Sequence, residues 1–417
     1  MKKTNWRIGM AAKKLLPLLL LSALPAAVQA QDYTCTTNNG TITIAKYTGS
    51  DSAVAVPRAI NGRPVTCIGD SAFSECASLN SVTIPGGVTH IGDNAFRSCD
   101  YLTSVIIPTS VTHIGSCVFK YCGGLASITI PAGVTSIGPD TFNNCRHLAA
   151  IIVDEGNPAY SSVDGVLFDK NKTTLIQCPA GKSGSVTIPA SVTSIGDAAF
   201  RGCDRVKGIM VDAGNPAYSS ADGVLFDKRK TTLILYPGGK TGSYIIPNNV
   251  TSVGDGVFNN CTNLTSVTIP SGITSIGGDA FNKCTSLKWI MANALNPAYS
   301  SVDGVLFDKR KTALIKYPEA RTGSYVIPAG VTSIEDGAFN NCNRLTSVTI
   351  PASVTSIGNG VFNNCTRLTG VYFKGNAPSL GNPKLFDGTK KTTVYYLPGA
   401  TGWTSTFGGC PTMLSKK

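Results

Sequence analysis

Residues 264–286 read LTSVTIPSGITSIGGDAFNKCTS, and this 23-residue pattern recurs along most of the chain. Each copy carries a phenylalanine followed three residues later by a cysteine, and neighbouring copies lie 23 or 58 residues apart. The nine pairs are Phe73/Cys76, Phe96/Cys99, Phe119/Cys122, Phe142/Cys145, Phe200/Cys203, Phe258/Cys261, Phe281/Cys284, Phe339/Cys342 and Phe362/Cys365. A fixed period of this size is typical of a solenoid, in which each coil buries its apolar face only against its neighbours.

One coil can be divided into a strand and a turn. The apolar alternation around Val267 predicts a short strand, which ends at Pro270 because proline cannot donate to a β-ladder. After Gly277, the segment leading to Phe281 predicts about one helical or 3₁₀ turn, with Phe281 and Cys284 on one face. The predicted fold class is therefore an α/β solenoid with one short parallel strand and one short helical or 3₁₀ turn per coil.

Strand positions can be counted along the whole repeat. Fourteen of them should stack about 4.8 Å apart in one sheet: residues 54, 82, 105, 128, 151, 186, 209, 244, 267, 290, 325, 348, 371 and 394. The 58-residue steps contain 35 additional residues, which recur near 154–185, 212–243 and 293–324. Two apolar segments around a polar four-residue turn, Asp227 to Lys230 in the second copy, predict a β-hairpin in each insertion.

The two ends of the chain differ from its middle. Residues 1–30 combine five basic residues, a short apolar stretch and a small-residue site, which predicts a cleaved signal peptide and hence a periplasmic, outer-surface or secreted protein. An uncleaved anchor is disfavoured because the apolar stretch is short, and no membrane span is expected in the mature chain. Residues 31–70 should form an N-terminal cap and first coil, 71–396 the solenoid, and 397–417 a C-terminal cap.

Composition argues against several classes of function. The net charge is +12, of which five positive charges lie in the first 30 residues, and no concentrated basic stripe is present, so nucleic-acid binding is not expected. The chain has three histidines, no Gly-x-Ser-x-Gly motif and no phosphate-binding glycine loop. We therefore predict no catalytic residues, no enzymatic activity and no cofactor.

The fourteen cysteines fall into two groups. Nine occupy one column of the repeat, which predicts buried, reduced thiols that pack as small hydrophobic side chains. Cys35 and Cys67 lie outside this column in a chain bound for an oxidising compartment, so we predict that they form a disulfide. No pairing is assigned to Cys117, Cys178 or Cys410.

A second column is a weak candidate for a metal site. Cys67, His90 and His113 occupy a position where later coils have serine, and neighbouring coils should bring these side chains about 5 Å apart. A structural zinc site needs four ligands and no fourth is apparent. The alternative is that an exposed turn position simply varies.

The outward strand positions indicate a candidate binding surface. They are serine and threonine in plain coils but apolar at Ile152, Met210, Trp289, Met291 and Tyr372. One interpretation is that each insertion folds back and covers these residues with its own tyrosine: Tyr160, Tyr218 or Tyr299. The other is an exposed apolar and aromatic groove, flanked by lysines, that binds a ligand. The candidate ligand-binding residues are Met210, Trp289, Met291, Tyr372, Lys207 and Lys288.

The coil sequence SVTIPASVTSIGNGVFNNCTRL, at 347–368, resembles the BspA-like leucine-rich repeat family. The insertion motif Asn-Pro-x-Tyr…Asp-Gly-Val-Leu-Phe-Asp-Lys and the closing segment at 394–409 are similar to that family too. The resemblance covers about residues 33–411 and implies a bacterial, exported protein, some relatives of which adhere to proteins or cells. The expected function is binding of a protein or glycan. The alternatives are a structural envelope protein without a specific ligand and a periplasmic metal-binding protein.

Overall fold

Each coil of the solenoid contributes two strands and a series of tight turns. The computed structural model describes residues 32–382, 384–389 and 391–415, so the signal peptide predicted over 1–30 lies outside the described residues. Two parallel sheets run side by side along the stack, one built from longer strands and one from shorter strands, and the turns close the third side. The β-solenoid with a leucine-rich repeat is confirmed, whereas the sequence predicted only one of its two sheets.

The long-strand sheet contains all fourteen predicted strand positions. It is hydrogen-bonded in consecutive blocks, and a fifteenth strand places Thr412 beside Val394. Its strands are Ala53–Ala55, Ser81–Thr83, Ser104–Ile106, Ser127–Ile130, Ala150–Val153, Gly184–Ile188, Val206–Val211, Gly242–Ile245, Leu264–Ile269, Trp289–Ala292, Gly323–Val326, Leu345–Ile350, Gly370–Phe373, Thr393–Tyr396 and Cys410–Leu414. The last of these pairs with a short antiparallel strand, Thr406–Phe407.

The short-strand sheet consists mostly of two-residue strands, which carry too little alternation to be found from sequence. They are His90–Ile91, His113–Ile114, Ser136–Ile137, Ser194–Ile195, Ser252–Val253, Ser275–Ile276, Ser333–Ile334, Ser356–Ile357 and Ser379–Leu380. At the N-terminus the sheet continues into the longer strands Arg63–Ile68 and Thr41–Tyr47, and the antiparallel strands Tyr33–Asn38 and Ala59–Ile60 pair with these. Tyr33 and Tyr47 pack their rings on Phe73 and cover the end of the core.

The predicted helical or 3₁₀ turn is wrong, since no helix is found among the described residues. In the first coil the N–H groups alternate in direction. Those of Ala72 and Cys76 bond back three residues within the coil, whereas that of Phe73 donates to Ala95 O of the next coil at 2.7 Å. Ser71 and Glu75 have φ of +56° and +63°, which interrupts a right-handed helix. A helix would use its N–H groups internally and leave none for the neighbouring coil.

The core of the turn side is a column of stacked phenylalanines. Phe73 and Phe96 have ring centroids 5.0 Å apart, and Phe96 and Phe119 are 5.6 Å apart, in near-parallel planes. Eight of the nine repeat phenylalanines are buried, and Phe200 is partly exposed. Each buried aromatic side chain removes a large apolar area from water, so this column is a main source of stability.

The cysteine column has a polar role as well as a packing role. The thiol of Cys122 donates to the carbonyl oxygen of Phe96 at 3.0 Å, and Cys145 donates likewise to Phe119 at 2.9 Å. Eight of the nine column cysteines are buried and Cys76 is partly buried. Burial raises the pKa of Cys145 to about 12, which disfavours the reactive thiolate. Cysteine therefore suits this position because it is small and still satisfies a buried carbonyl.

The predicted disulfide between Cys35 and Cys67 is wrong, and all fourteen cysteines are free thiols. Cys35 pairs with Ile44, and Ile44 in turn pairs with Ile68. The strand Thr41–Tyr47 therefore lies between the two cysteines. Two strand spacings separate their backbones by roughly 9.6 Å, which exceeds the reach of a disulfide.

Each 35-residue insertion forms three antiparallel strands, so the predicted hairpin is confirmed and one further strand precedes it. The strands are Tyr160–Val163, Val166–Asp169 and Thr174–Gln177, then Tyr218–Ala221, Val224–Asp227 and Thr232–Leu235, then Tyr299–Val302, Val305–Asp308 and Ala313–Lys316. The third strand of each set joins the short-strand sheet in parallel with the following coil. An insertion therefore supplies a complete coil and not an appended loop.

The Asn-Pro-Ala-Tyr motif of the insertions is explained by a buried asparagine. Asn296 donates to Pro270 O at 2.7 Å and Ile273 O at 2.9 Å, and its side-chain oxygen accepts from the N–H groups of Ala298 and Tyr299. Asn157 and Asn215 make the same bonds in the other insertions. This side chain joins the insertion to the coil before it.

Candidate binding surface on the long-strand sheet

One longitudinal row of outward side chains, here called the apolar row, runs along the long-strand sheet. Each member occupies the same position of its coil, and register pairs Thr129 with Ile152 and Thr268 with Met291. The row reads Thr83, Ile106, Thr129, Ile152, Thr187, Met210, Ile245, Thr268, Met291, Val326, Thr349, Tyr372, Tyr395 and Met413. Its aliphatic and methionine members are 43 to 70% exposed. Scattered apolar residues of the sequence therefore form one surface feature.

A second outward row, here called the serine row, lies two residues earlier on each strand. It reads Ser81, Ser104, Ser127, Ala150, Ser185, Gly208, Ser243, Ser266, Trp289, Ser324, Ser347, Gly370 and Thr393. Every member except Trp289 has a small side chain. Trp289 is 49% exposed and stands beside Ser266 on the neighbouring strand.

The insertions touch the serine row through their tight turns. The carbonyl oxygen of Gly304 accepts the N–H of Ile290 at 2.8 Å, and Gly165 and Gly223 do the same in the other insertions. Gly304 has φ of +77°, and a Cβ there would lie 2.6 Å from the Trp289 ring. The third insertion therefore supports one side of the Trp289 indole and leaves the other side in solvent.

The interpretation in which insertion tyrosines cover the apolar row is wrong. The hydroxyl of Tyr160 accepts the N–H of Ile137 at 2.9 Å, and that of Tyr299 accepts the N–H of Ile276 at 3.0 Å. Both hydroxyls accept from strands of the short-strand sheet, at the points where an insertion follows the strand. The tyrosines thus point away from the apolar row, and its members remain exposed.

A pocket of about 400 Å³ adjoins Trp289. Lys288, Arg321 and Arg344 line it, together with Ala320 and Thr322. The Lys288 ammonium lies 5.9 Å from the Trp289 ring centroid, and the Arg321 guanidinium donates to the carbonyl of Asp303. Three cations around an exposed indole, with no carboxylate among the lining residues, suit an anionic ligand with an apolar part.

The other candidate residues do not converge on this pocket. Met291 is on the same strand as Trp289 but in the apolar row, and Tyr372 stacks on Tyr395 at 4.8 Å farther along that row. Met210 is separated from Met291 by Ile245 and Thr268 in the apolar row and by the second insertion. Lys207 occupies the coil position of Lys288, next to Gly208 instead of a tryptophan. Sequence reasoning missed Arg321 and Arg344, because they come from two different coils.

The metal column is assembled as expected but is not arranged as a metal site. Cys67 pairs with His90 and His90 with His113 on adjacent short strands. The two imidazole rings are stacked with their centroids 4.6 Å apart and an interplanar angle of 5°. Each Nδ1 forms a hydrogen bond with the hydroxyl of the preceding threonine. Parallel rings do not direct their nitrogen lone pairs toward one ion, and no metal-holding cluster of three ligands occurs among the described residues.

The repeat also matches a known family model. The model of the BspA type leucine-rich repeat region matches in six copies, over residues 60–174, 178–217, 236–309 and 317–410. These matches cover well over half of the chain. The chain belongs to the BspA-type leucine-rich repeat family. Trp289 and Lys288 lie inside a matched segment, whereas most of the second insertion, at 218–235, is unmatched.

Solved structures of two bacterial proteins are similar to this chain. This BspA-type chain is similar to a leucine-rich cell surface protein from Faecalibacterium prausnitzii A2-165, with 29% identity, 83% of this chain and 94% of that chain covered, and a TM-score of 0.52. It also matches the pneumococcal vaccine antigen PcpA, with 20% identity, 89% and 93% coverage, and a TM-score of 0.48. A search of curated proteins finds no match. No helix among the described residues is long and apolar enough to cross a membrane.

Proposed function

We propose that this protein is an exported bacterial surface protein that binds a protein or glycan ligand without catalysing a reaction. Export is supported by the signal-like pattern over residues 1–30 and by the similarity to a bacterial cell surface protein. The contact surface is the exposed side of the long-strand sheet, where the apolar row and the Trp289 pocket lie on one side of the molecule.

The observation that carries this proposal is the Trp289 pocket. Trp289 occupies a position that is otherwise small and is surrounded by three cations. The strand itself does not require a tryptophan, since coils with serine at this position form the same strand. Tryptophan and arginine are the side chains most enriched among residues that dominate binding energy. The ligand we propose is therefore one that carries carboxylate or sulfate groups next to an apolar surface.

The test compares the protein with a Trp289→Ser variant. Serine is the residue of the adjoining strand, so the variant should keep the strand. Loss of the contact between the indole and Gly304 should lower the melting temperature only slightly, and affinities are compared at a temperature where both proteins are folded. Both proteins are titrated onto an array of glycans with and without sulfate and carboxylate groups, and onto a panel of host matrix proteins. Ligands bound by the parent protein should bind the variant about 30-fold more weakly, the effect of losing an anchor worth about 2 kcal/mol.

A Val326→Thr variant is the matched control, because Val326 is an exposed member of the apolar row outside the pocket. It should reduce affinity far less than Trp289→Ser. Equal affinity of the parent and Trp289→Ser proteins would refute the site. No binding to any array member would favour a structural envelope role instead.

A further inference from the structure

A second and larger concavity opens on the other side of the molecule, at the second insertion. It has a volume of about 730 Å³, within the range typical of ligand pockets, and none of its lining residues belongs to the apolar row or the serine row. Its apolar lining includes Ile195, Phe200, Tyr218, Ile234, Leu235 and Tyr236. We refer to this concavity as the second-insertion cleft.

The cleft is open because two bridging side chains present in the third insertion are missing here. There, Lys316 donates to Gly337 O at 3.2 Å, and buried Glu319 accepts the N–H of Lys283 at 2.8 Å. The second insertion has Leu235 and Gly238 at these two positions. Neither can form such a bridge, so only backbone hydrogen bonds, such as that from the N–H of Tyr236 to Val257 O, join the neighbouring coils at this point.

The phenylalanine column is also broken at the cleft. The first insertion places Cys178 where the later insertions place Tyr236 and Tyr317 in the aromatic column. Tyr236 packs on Phe258 at 5.3 Å instead of on Phe200. Within the described part of the chain no aromatic ring stacks on Phe200, which is partly exposed and lines the cleft. Its ring is therefore available to a ligand.

Asp197, which lines the same cleft, has a carboxylate without a partner among the described residues. At the equivalent position of plain coils, Asp93 accepts the N–H of Ser116 at 2.7 Å and Asp336 accepts that of Asn359 at 2.6 Å, each from the next coil. The coil of Asp197 is followed by an insertion, and Asp197 makes no hydrogen bond or ion pair with any described residue. The coils before the other two insertions have proline and glycine at this position. Asp197 thus lacks the structural role of its counterparts but lines the cleft.

We propose that the second-insertion cleft binds a polypeptide segment in which a basic side chain adjoins an aromatic or branched apolar one. The apolar side chain packs on Phe200 and Leu235, and the cation meets Asp197. Aromatic faces beside a carboxylate favour ammonium and guanidinium groups. Three carboxylates and two cations line the cleft. One of the two cations, the Arg201 guanidinium, lies 4.0 Å from the carboxylate of Asp140, a residue outside the cleft lining.

The probes are two end-blocked peptides, acetyl-Gly-Phe-Lys-Gly-amide and the same peptide with Glu in place of Lys, titrated by calorimetry. The Lys peptide should bind at least about tenfold more tightly than the Glu peptide, and Asp197→Asn should reduce its affinity by about tenfold, since each change removes one charge-assisted contact. Asp197→Asn should not alter the melting temperature, because Asp197 has no partner in the fold.

Two further variants separate this site from the Trp289 pocket. Leu235→Lys copies the third insertion, occupies the cleft and should abolish binding of the Lys peptide. Trp289→Ser should leave that binding unchanged, so this proposal can fail while the proposed function stands, and the reverse also holds. Equal affinity for the two peptides, no effect of Asp197→Asn, or no binding of the Lys peptide at millimolar concentration would each overturn the inference.

Discussion

Replacing Asn296 with alanine tests how the insertions are held in the solenoid. The Asn296 side chain is fully buried and makes four hydrogen bonds, two to carbonyl oxygens of the preceding coil and two from N–H groups of its own insertion. Alanine leaves all four backbone groups without these partners. At about 1 kcal/mol for each, the free energy of unfolding should fall by about 4 kcal/mol.

The effect should be local, because coils of a solenoid interact only with their neighbours. Amide hydrogen exchange should accelerate in the third insertion, over 293–324, and remain unchanged in the first, which keeps its own buried Asn157. Urea titration followed by hydrogen exchange in each insertion measures both the magnitude and the location.

Asn293→Ala is the matched control. Asn293 lies three residues earlier, is exposed, and accepts one hydrogen bond, from the N–H of Leu295 at 2.9 Å. Its replacement should lower the free energy of unfolding by less than about 1 kcal/mol. A similar small loss for Asn296→Ala, or a loss spread evenly over all three insertions, would refute the role assigned to Asn296.

Two further predictions concern thiols and pH. Burial raises the pKa of Cys99 and Cys145 to about 12, so a thiol reagent should modify at most the four partly buried cysteines of the native protein. After denaturation it should modify all fourteen, and a count below fourteen would indicate a disulfide. Burial raises the pKa of Glu319 from 4.5 to about 7, so the folded state binds more protons between these values and the free energy of unfolding should fall as pH rises from about 4.5 to 7. Glu319→Gln should remove that part of the pH dependence, and an unchanged dependence in the variant would show that another group is responsible.

Much of the fold could be predicted because the repeat is long and regular. The alternation around residues such as Val267 located fourteen of the fifteen strands of the long-strand sheet and missed Cys410–Leu414. The helical turn was wrong because the spacing of Phe73 and Cys76 fits a helical face and a series of tight turns equally well. Only the hydrogen bonds between coils, such as that from Phe73 to Ala95, decide between them.

The candidate sites were harder to predict because they combine residues from different coils. Trp289 and Lys288 could be found as departures from the repeat, but Arg321 and Arg344 reach the pocket from the following coils. Asp197 gave no signal in sequence, since aspartate is common at that position. Its unpaired state depends on the insertion that follows it.

The amino-acid sequence by itself determined the period, the rungs and the buried columns, because each coil repeats the same short-range pattern of apolar residues. Only the tertiary structure decided which polar groups are left without partners and which side chains meet across coils. The strand Thr41–Tyr47, which separates Cys35 from Cys67, shows the same principle. The repeat period predicts which type of residue each position of a coil requires. The stacking of coils brings residues that are far apart in sequence to within a few ångströms and so determines their partners.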